Sequence, residues 1–326
     1  MSDRERAVGV VARALGIGLP KVRMELWTWA SLTVFTAFVL TLFYLGARPG
    51  GTAPIWAYVW GRAILGLVAL GLLLVGVVWA AIRRPFLQRR RGRGFVALAL
   101  VVGLANVRLP YPSSHEGHPS PVQFRLPVEG EWQVFWGGEG KDENRLGGFF
   151  PDRRWAMHLV KVADGRRLRG PAAAREPSDF RAWNEPVLAP AAGTVVRVRD
   201  GIPDALLGVL PRDVPAFGNL VVIEVRDDEY LFLYHLLAGS IRVTEGQAVE
   251  AGEELARVGH SGYSPVTPEP HVALHLQDTP DEGLGEAIPW FFHGYTANGH
   301  AVERGLPHGG IGSGGVLRGE LVHNAE

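Results

Sequence analysis

The residues of this chain best suited to chemistry are its histidines. All eleven lie after residue 114, and the chain has no cysteine. Imidazole binds zinc or transfers a proton near neutral pH, whereas the lack of cysteine excludes disulfides, thiolate ligands and thiol nucleophiles. Two of the apolar, strand-like segments contain His235 and the pair His271 and His275. The sequence therefore points to imidazole chemistry in the second half of the chain.

The spacing of these histidines limits what they can hold together. On a β-strand, His271, Ala273 and His275 share one face. At ~3.3 Å per residue the two imidazoles are ~13 Å apart, which is too far for one ion bound at ~2 Å per ligand. A zinc site that also includes His158 would need a bulge in the strand. We therefore predict a polar cleft without a metal, and a site at His158 and His275 is the alternative.

The elements that must position these side chains are short β-strands. Gly, Pro and Asp-Asp turns separate apolar runs after residue 121, and no amphipathic helix of ten or more residues is evident there. The sequence therefore predicts an all-β second half, with strands at 122–127, 131–136, 194–199, 220–226, 230–235, 241–243, 254–258 and 271–277.

Two segments share a pattern of strand, tight turn and strand. They cover 186–198 and 241–258, with glycines at 193, 246 and 252. We expect each segment to form a hairpin, the two folding across one another in a barrel-sandwich. The glycines would sit where a positive φ or a close backbone approach is needed. Carrier domains, membrane-fusion adaptors and one large peptidase family share this geometry.

The first part of the chain has the composition of a membrane domain. Residues 26–45 and 63–82 are two uncharged runs of twenty, each long enough for a ~30 Å hydrocarbon core. A third run at 94–107 has only fourteen residues, and we expect it to cross as well. Residues 1–93 carry 13 basic and 3 acidic side chains, whereas the remainder carries 20 and 30.

This charge distribution predicts an orientation and a domain plan. Basic residues flank the first two spans at 4–23 and 83–93, so the positive-inside rule places both stretches in the cytoplasm. The second half lies outside the cytoplasm if the third run crosses, as we expect, and inside it if that run lies flat. Overall neutrality disfavours a nucleic-acid binder. We expect His115 and His118 to be solvated in a linker. The predicted plan is a cytoplasmic N-terminus at 1–25, a membrane domain at 26–108, a linker at 109–121, a β domain at 122–298 and a Gly-rich tail with a short closing strand at 299–326.

Several stretches of the β domain resemble the M23 (lysostaphin/LytM-like) metallopeptidases, which cleave bacterial peptidoglycan. The resemblance runs from about residue 127 to 292. It implies an all-β M23-like barrel-sandwich, or duplicated hybrid, domain, which follows the N-terminal transmembrane helices predicted from the apolar runs. The matching stretches are RRWAMHLV (153–160), AWNEPVLAPAAGTVVRVRDGIPD (182–204), FGNLVVIEV (217–225), YLFLYHLLAGSIRVTEGQAVEAGEELARVGHSGYS (230–264), EPHVALHLQD (269–278) and AIPWFF (287–292).

The resemblance also implies a zinc site, from which this chain departs. M23 enzymes hold zinc with a His and an Asp of one motif and with the second His of an H-x-H. Here the Asp position aligns with His158, the upstream His is missing, and the second His of H-x-H has become Ala273. His235 matches a family histidine that stabilises an oxyanion or moves a proton. His271 matches the first, non-ligand His of H-x-H, a candidate general acid or base.

Three functions follow as expectations. The first is a membrane-anchored pseudoenzyme in the bacterial cytoplasmic membrane, facing the cell wall and binding peptidoglycan or a cell-wall hydrolase, with no cofactor. The second is an active zinc endopeptidase with non-standard ligands, so that enzyme activity stays open. The third is a carrier or membrane-fusion subunit. It is disfavoured because neither hairpin segment contains a lysine and no long heptad coiled coil is present.

Overall fold

The computed structural model describes most of the chain as two compact units. We call them the helical unit, Met1–Pro49 with Ala53–Pro112, and the β unit, Gly50–Thr52 with Ser113–Glu326. The N-terminal segment before residue 24 and residues 83–88 of the basic stretch lie outside the described residues. The described residues are 24–47, 50–82, 89–107, 109–140, 144, 149–170, 173–265, 267–310 and 319–325.

The helical unit contains three long helices, α1, α3 and α4. Both runs predicted to span a membrane are helical, and the third run is the C-terminal part of α4, which begins five residues before it. A short helix and a π-helical turn lead into α3. The bounds are α1 Met24–Ala47, α2 Thr52–Trp56, π1 Ala57–Gly61, α3 Arg62–Ile82 and α4 Arg89–Ala105.

Two helical stretches, Leu26–Ala47 and Thr52–Ile82, are long and apolar enough to cross a membrane by length and composition. Their outer surfaces carry large apolar side chains, such as Phe43 and Leu67, which are 73% and 70% exposed. A helix that is apolar on all sides needs an apolar environment. The predicted N-terminal apolar helices are therefore confirmed.

Small residues and one tryptophan set the packing of the three long helices. Trp27 is buried, and its indole nitrogen donates to the carbonyl oxygen of Leu72 at 2.9 Å. A Cβ at Gly76 or Gly94 would come within 2.7 or 2.8 Å of the Trp27 ring. Glycine at both positions allows α3 and α4 to approach α1 closely, as small residues do in membrane bundles.

The β unit is built on one antiparallel sheet of ten strands, in the order β11-β10-β12-β1-β2-β9-β6-β5-β4-β7, and a separate pair β3-β8. The predicted all-β domain is thus confirmed. The strands are β1 Trp132–Trp136, β2 Met157–Lys161, β3 Pro186–Leu188, β4 Gly193–Arg199, β5 Asn219–Arg226, β6 Glu229–Leu236, β7 Ala248–Val249, β8 Glu254–Arg257, β9 Val272–Gln277, β10 Phe292–Ala297, β11 His300–Gly305 and β12 Leu321–Asn324.

The two segments expected to be hairpins pair with each other instead. β3 pairs with β8 and β4 pairs with β7, so each strand of 186–198 finds its partner in 241–258. The glycines behave as predicted: Gly246 and Gly252 have φ of 85° and 90°. A Cβ at Gly193 would lie 2.5 Å from the carbonyl oxygen of Glu224. Because strands of 186–198 pair with strands of 241–258, the apolar residues of both segments are buried in one core.

Other predicted strands differ in detail. Residues 241–243 form no strand, and in 122–127 only Phe124 makes an isolated bridge, to Phe292. The segment predicted as a tail contributes β11 and β12, and β12 pairs with both β1 and β10. These pairings join residues far apart in sequence, so local pattern does not reveal them.

The large sheet has different side chains on its two faces. One face carries the main apolar core, in which Val272, Leu274 and Leu276 of β9 are buried. The other carries a small aromatic cluster that includes Phe217, Phe232, Tyr234 and Ala273. Alternation along β9 gives this division, and it places Ala273 and His275 on the second face.

Candidate functional site

The centre of the site is the pairing of β2, β9 and β6. Ala273 lies opposite His158 of β2 on one side and opposite Tyr234 of β6 on the other. All three are buried. The two positions that the sequence singles out as altered zinc ligands are therefore direct cross-strand neighbours. Side chains at such positions have Cβ atoms about 5 Å apart.

His158 and Tyr234 line a cleft of about 300 Å³, and Ala273 is paired between them. The cleft is lined by rings and by a few polar groups, among them His158, Phe217, Tyr234, His235, Tyr263 and Arg153. The guanidinium carbon of Arg153 lies 4.0 Å from the centre of the Phe150 ring and 5.0 Å from that of Phe217. The cleft thus has apolar walls with one cation, which is the usual character of a ligand pocket.

His158 and His271 form a stacked pair. Their ring centres are 4.9 Å apart with an angle of 13° between the planes. Nδ1 of His158 is hydrogen-bonded to Oγ1 of Thr267 at 2.8 Å, and Nδ1 of His271 donates to the carbonyl oxygen of Glu269 at 2.7 Å. Nε2 of His271 is buried and has no hydrogen-bond partner among the described residues. In its neutral form this nitrogen keeps a free lone pair.

His235 adopts an unusual backbone conformation at the end of β6. Its φ is 64°, which is rare for a residue other than glycine. Its Nδ1 donates to the carbonyl oxygen of Ser261 at 2.6 Å. Adjacent residues of a regular strand point to opposite faces, yet Tyr234 and His235 both line the cleft. The left-handed turn therefore brings a second side chain of β6 into the cleft, and such local strain often marks a functional site.

His275 has a different environment. It stacks on Phe232, with ring centres 4.8 Å apart, and its Nε2 is hydrogen-bonded to Oε1 of Gln277 at 3.1 Å. It shares a face of β9 with Ala273, as predicted, but it is not among the residues lining the cleft. Ring contacts group His158, His235 and His271, of which His158 and His235 line the cleft, whereas His275 packs against the aromatic cluster beside them.

Burial keeps these imidazoles neutral. Loss of hydration lowers the pKa of His235 to about 3 and that of His275 to about 4. The same cause lowers the pKa of His158 and of His271 well below the ordinary value, and neighbouring imidazoles lower both further. Burial also raises the pKa of the Tyr234 hydroxyl. At neutral pH the site therefore offers uncharged imidazoles and a protonated phenol.

The zinc site implied by the family can be tested against these side chains. A catalytic zinc needs three protein ligands within about 2.3 Å of one point. Among the described residues, no cleft histidine belongs to a group of three His, Asp or Glu whose ligand atoms all lie within 4.8 Å of one another. The methyl group of Ala273 faces His158, where a ligand would be required. The side chains of the cleft therefore do not fit the family's zinc.

Some residues of the site were not found by sequence reasoning. Thr267 holds His158, Phe217 packs 4.5 Å from Tyr234 between ring centres, and Arg153 covers the edge of the cleft. Arg153 and Phe217 begin stretches that carry the family resemblance, and Tyr234 precedes His235. Their position within or beside these motifs is the signal that could have identified them as site residues. Nothing comparable marks Thr267.

Comparison with known families gives one match to the chain. The family model described as Peptidase family M23 matches residues 177–282. That stretch includes His235, His271 and Ala273, whereas His158 lies before it. The comparison with curated proteins gives no match.

Solved structures give low-scoring similarities. A zinc-containing peptidase from Vibrio cholerae is 20% identical, with 52% of this chain and 41% of that chain covered and a TM-score of 0.31. A variant of the catalytic domain of the prophage-encoded M23 protein EnpA from Enterococcus faecalis is 23% identical, with 39% of this chain and 87% of that chain covered and a TM-score of 0.26. A chain of the SpoIIIAH and SpoIIQ complex is 15% identical, with 51% of this chain and 96% of that chain covered and a TM-score of 0.33.

These likenesses differ in extent. The chain spans 41% of the length of the Vibrio cholerae peptidase. The match over residues 177–282 contains most of the sheet's central strands and three residues singled out in the sequence, namely His235, His271 and Ala273. Residues 177–282 of the β unit therefore match the model of Peptidase family M23.

Proposed function

We propose that this protein is a membrane-anchored, non-catalytic M23 module that faces the cell wall. Its cleft would bind peptidoglycan, or a cell-wall hydrolase that the module regulates. The proposal accounts for a fold and a cleft that are retained around altered metal-ligand positions.

The observation that carries the proposal is the pairing of Ala273 with His158. A methyl group cannot coordinate a cation, and it is fully buried against the aromatic cluster. The neighbouring imidazoles have their Nδ1 atoms engaged by Thr267, Ser261 and Glu269. The cleft thus keeps ordered imidazoles in an otherwise apolar wall, which suits recognition of a peptide more than activation of water.

The membrane placement is supported by the helical unit. α1 and α3 are apolar on their outer surfaces, and α4 has 17 residues, a length of about 25 Å. Basic residues precede α1 and lie between α3 and α4. By the positive-inside rule these segments are cytoplasmic, and a third crossing by α4 puts the β unit outside.

Binding and cleavage can be separated with the full-length protein in detergent. The protein is incubated with insoluble peptidoglycan, with and without added Zn²⁺, and both retained protein and released muropeptides are measured. We expect retention without release. Tyr263→Ala, which removes a ring from the cleft, should lower retention several-fold. Leu284→Ala, which removes an exposed side chain that is not part of the cleft lining, is the matched control.

The alternative function has its own signature. Nε2 of His271 is buried and has no hydrogen-bond partner among the described residues, so its lone pair is available to bind a metal. Zinc-dependent release of muropeptides that is abolished by a chelator would show an active endopeptidase and overturn the proposal. Equal retention of Tyr263→Ala and wild type would mean that the cleft does not bind peptidoglycan. In that case a hydrolase captured only by the intact cleft would identify the regulatory form of the function.

A further inference from the structure

A second group of potential ligands lies outside the cleft, at the start of the β unit. His115, Asp278 and Glu286 each offer one ligand atom, and these atoms all lie within 4.8 Å of one another. His115 precedes the sheet, Asp278 follows β9, and Glu286 lies between β9 and β10. His115 was predicted to be solvated in a linker, but its side chain is only 28% exposed. Distant parts of the sequence therefore converge here.

Hydrogen bonds hold the three side chains in place. Nε2 of His115 faces Oδ2 of Asp278 at 3.5 Å. The backbone nitrogen of Glu286 donates to Oδ1 of Asp278 at 2.8 Å, which fixes one carboxylate against the backbone of the other residue. The backbone nitrogen of Ser114 donates to Oε1 of Glu286 at 2.6 Å. The turn that carries His115 is closed by a bond from the nitrogen of His118 to the carbonyl oxygen of His115.

Among the described residues, no arginine or lysine forms an ion pair with Asp278 or Glu286, and the salt-bridge partner of Asp278 is His115. Glu286 is 2% exposed. Oε2 accepts from the nitrogen of Gly51 and from the hydroxyl of Ser114, whereas Oε1 accepts a single bond. Two carboxylates that lie close together and are partly buried raise the free energy of the folded state unless a cation binds both of them.

We infer that His115, Asp278 and Glu286 bind a divalent transition cation such as Zn²⁺. One imidazole nitrogen and two carboxylate oxygens are a ligand set that borderline cations favour. Ligand atoms around one tetrahedral zinc are about 3.4 Å apart, so movements of about 1 Å would bring the three atoms into position. Carboxylate oxygens keep lone pairs after the bonds described above.

The bound cation would join two regions of the β unit. The segment 113–118 would be fixed to the loop that connects β9 with β10, next to the strand that carries His271 and Ala273. The site is distinct from the cleft, because none of its three residues lines it. Its role would be structural, ordering the first residues of the β unit on the sheet.

The test uses full-length protein in detergent, stripped with a chelator and then titrated with Zn²⁺. Bound zinc is measured by elemental analysis and its affinity by calorimetry. We expect one zinc per chain in the wild type, and at least tenfold weaker binding in His115→Ala and in Glu286→Gln. His118→Ala is the matched control, since His118 lies three residues away in the same segment and is exposed. It should keep the wild-type affinity.

A second measurement keeps the result independent of folding defects. Added Zn²⁺ should raise the Tm of wild type and of His118→Ala but not that of Asp278→Asn. The inference is overturned if the wild type takes up no zinc. It is also overturned if His115→Ala binds zinc as wild type does while His158→Ala or His271→Ala does not, since the metal would then lie in the cleft.

Discussion

Ala273 of β9 is the cross-strand partner of His158 of β2; both side chains are buried, and His158 lines the cleft. This pairing places the two predicted departures from the family's zinc ligands side by side. The methyl group fills space beside Tyr234 and leaves the imidazole of His158 to bond with Thr267. The site is thus packed for a state without the family's ligand geometry.

Restoring individual ligands should therefore not restore a zinc site. Ala273→His adds a large side chain to a fully buried position, and we expect it to lower stability by about 1–3 kcal/mol. The double variant Ala273→His with His158→Asp should still bind zinc weakly in the cleft, because the upstream His is absent. Calorimetry in the His115→Ala background, with the Tm of each variant, checks this. Tight zinc binding by the double variant in this background would show that the first motif was misassigned.

The stability of the β unit should depend on pH through its buried histidines. Their pKa is lowered in the folded state, to about 3 for His235 and about 4 for His275, so the unfolded chain binds more protons in acid. Stability is therefore complete above about pH 6.5 and declines as pH falls toward 4, by about 1.4 kcal/mol per pH unit for each histidine. Unfolding measured at several pH values tests this dependence.

A matched pair of variants assigns that pH dependence to burial. His275→Gln should reduce the slope of the unfolding free energy against pH by the contribution of one histidine, even if it lowers stability at neutral pH. His300→Gln replaces an exposed histidine and should leave the slope unchanged. Identical slopes for His275→Gln and the wild type would contradict the buried, neutral state of His275.

Two glycines with similar φ should respond differently to alanine. Gly218 and Gly239 have φ of 60° and 72°, which costs a residue with a Cβ about 1 kcal/mol in either place. A Cβ at Gly218 would also lie 2.4 Å from the backbone of Ser261, whereas one at Gly239 meets nothing within 4 Å. Gly218→Ala should therefore cost a further ~1–3 kcal/mol.

The same pair links the backbone to the cleft. Ser261 accepts the hydrogen bond from His235, so displacing it should also weaken peptidoglycan retention. Unfolding curves and the retention assay are measured on both variants. Equal losses for Gly218→Ala and Gly239→Ala would mean that the approach to Ser261 does not position the cleft.

The orientation of the chain can be tested with reporters in a bacterial host. Alkaline phosphatase fused after residue 121 should be active, because it folds only outside the cytoplasm, and green fluorescent protein at the same place should be dark. Fusions after residue 88 should give the opposite pattern. A fluorescent fusion after residue 121 would place the β unit in the cytoplasm and remove the cell-wall function.

The sequence by itself determined the features that depend on local pattern. Uncharged runs of twenty residues require helices in an apolar environment, and the two-residue period of β9 puts His271, Ala273 and His275 on one face. Gly246 and Gly252 were recognisable because turns with positive φ favour glycine. Each of these features depends on residues close together in the chain.

Only the tertiary structure decided which distant residues meet. The register of β2 against β9 set Ala273 opposite His158, and the exchange between 186–198 and 241–258 replaced the expected hairpins. The left-handed φ of His235 overrode strand alternation. Convergence of His115 with Asp278 likewise joins residues 163 positions apart. Such contacts follow from burial of the whole core and from satisfaction of buried polar groups, which no short stretch of sequence encodes.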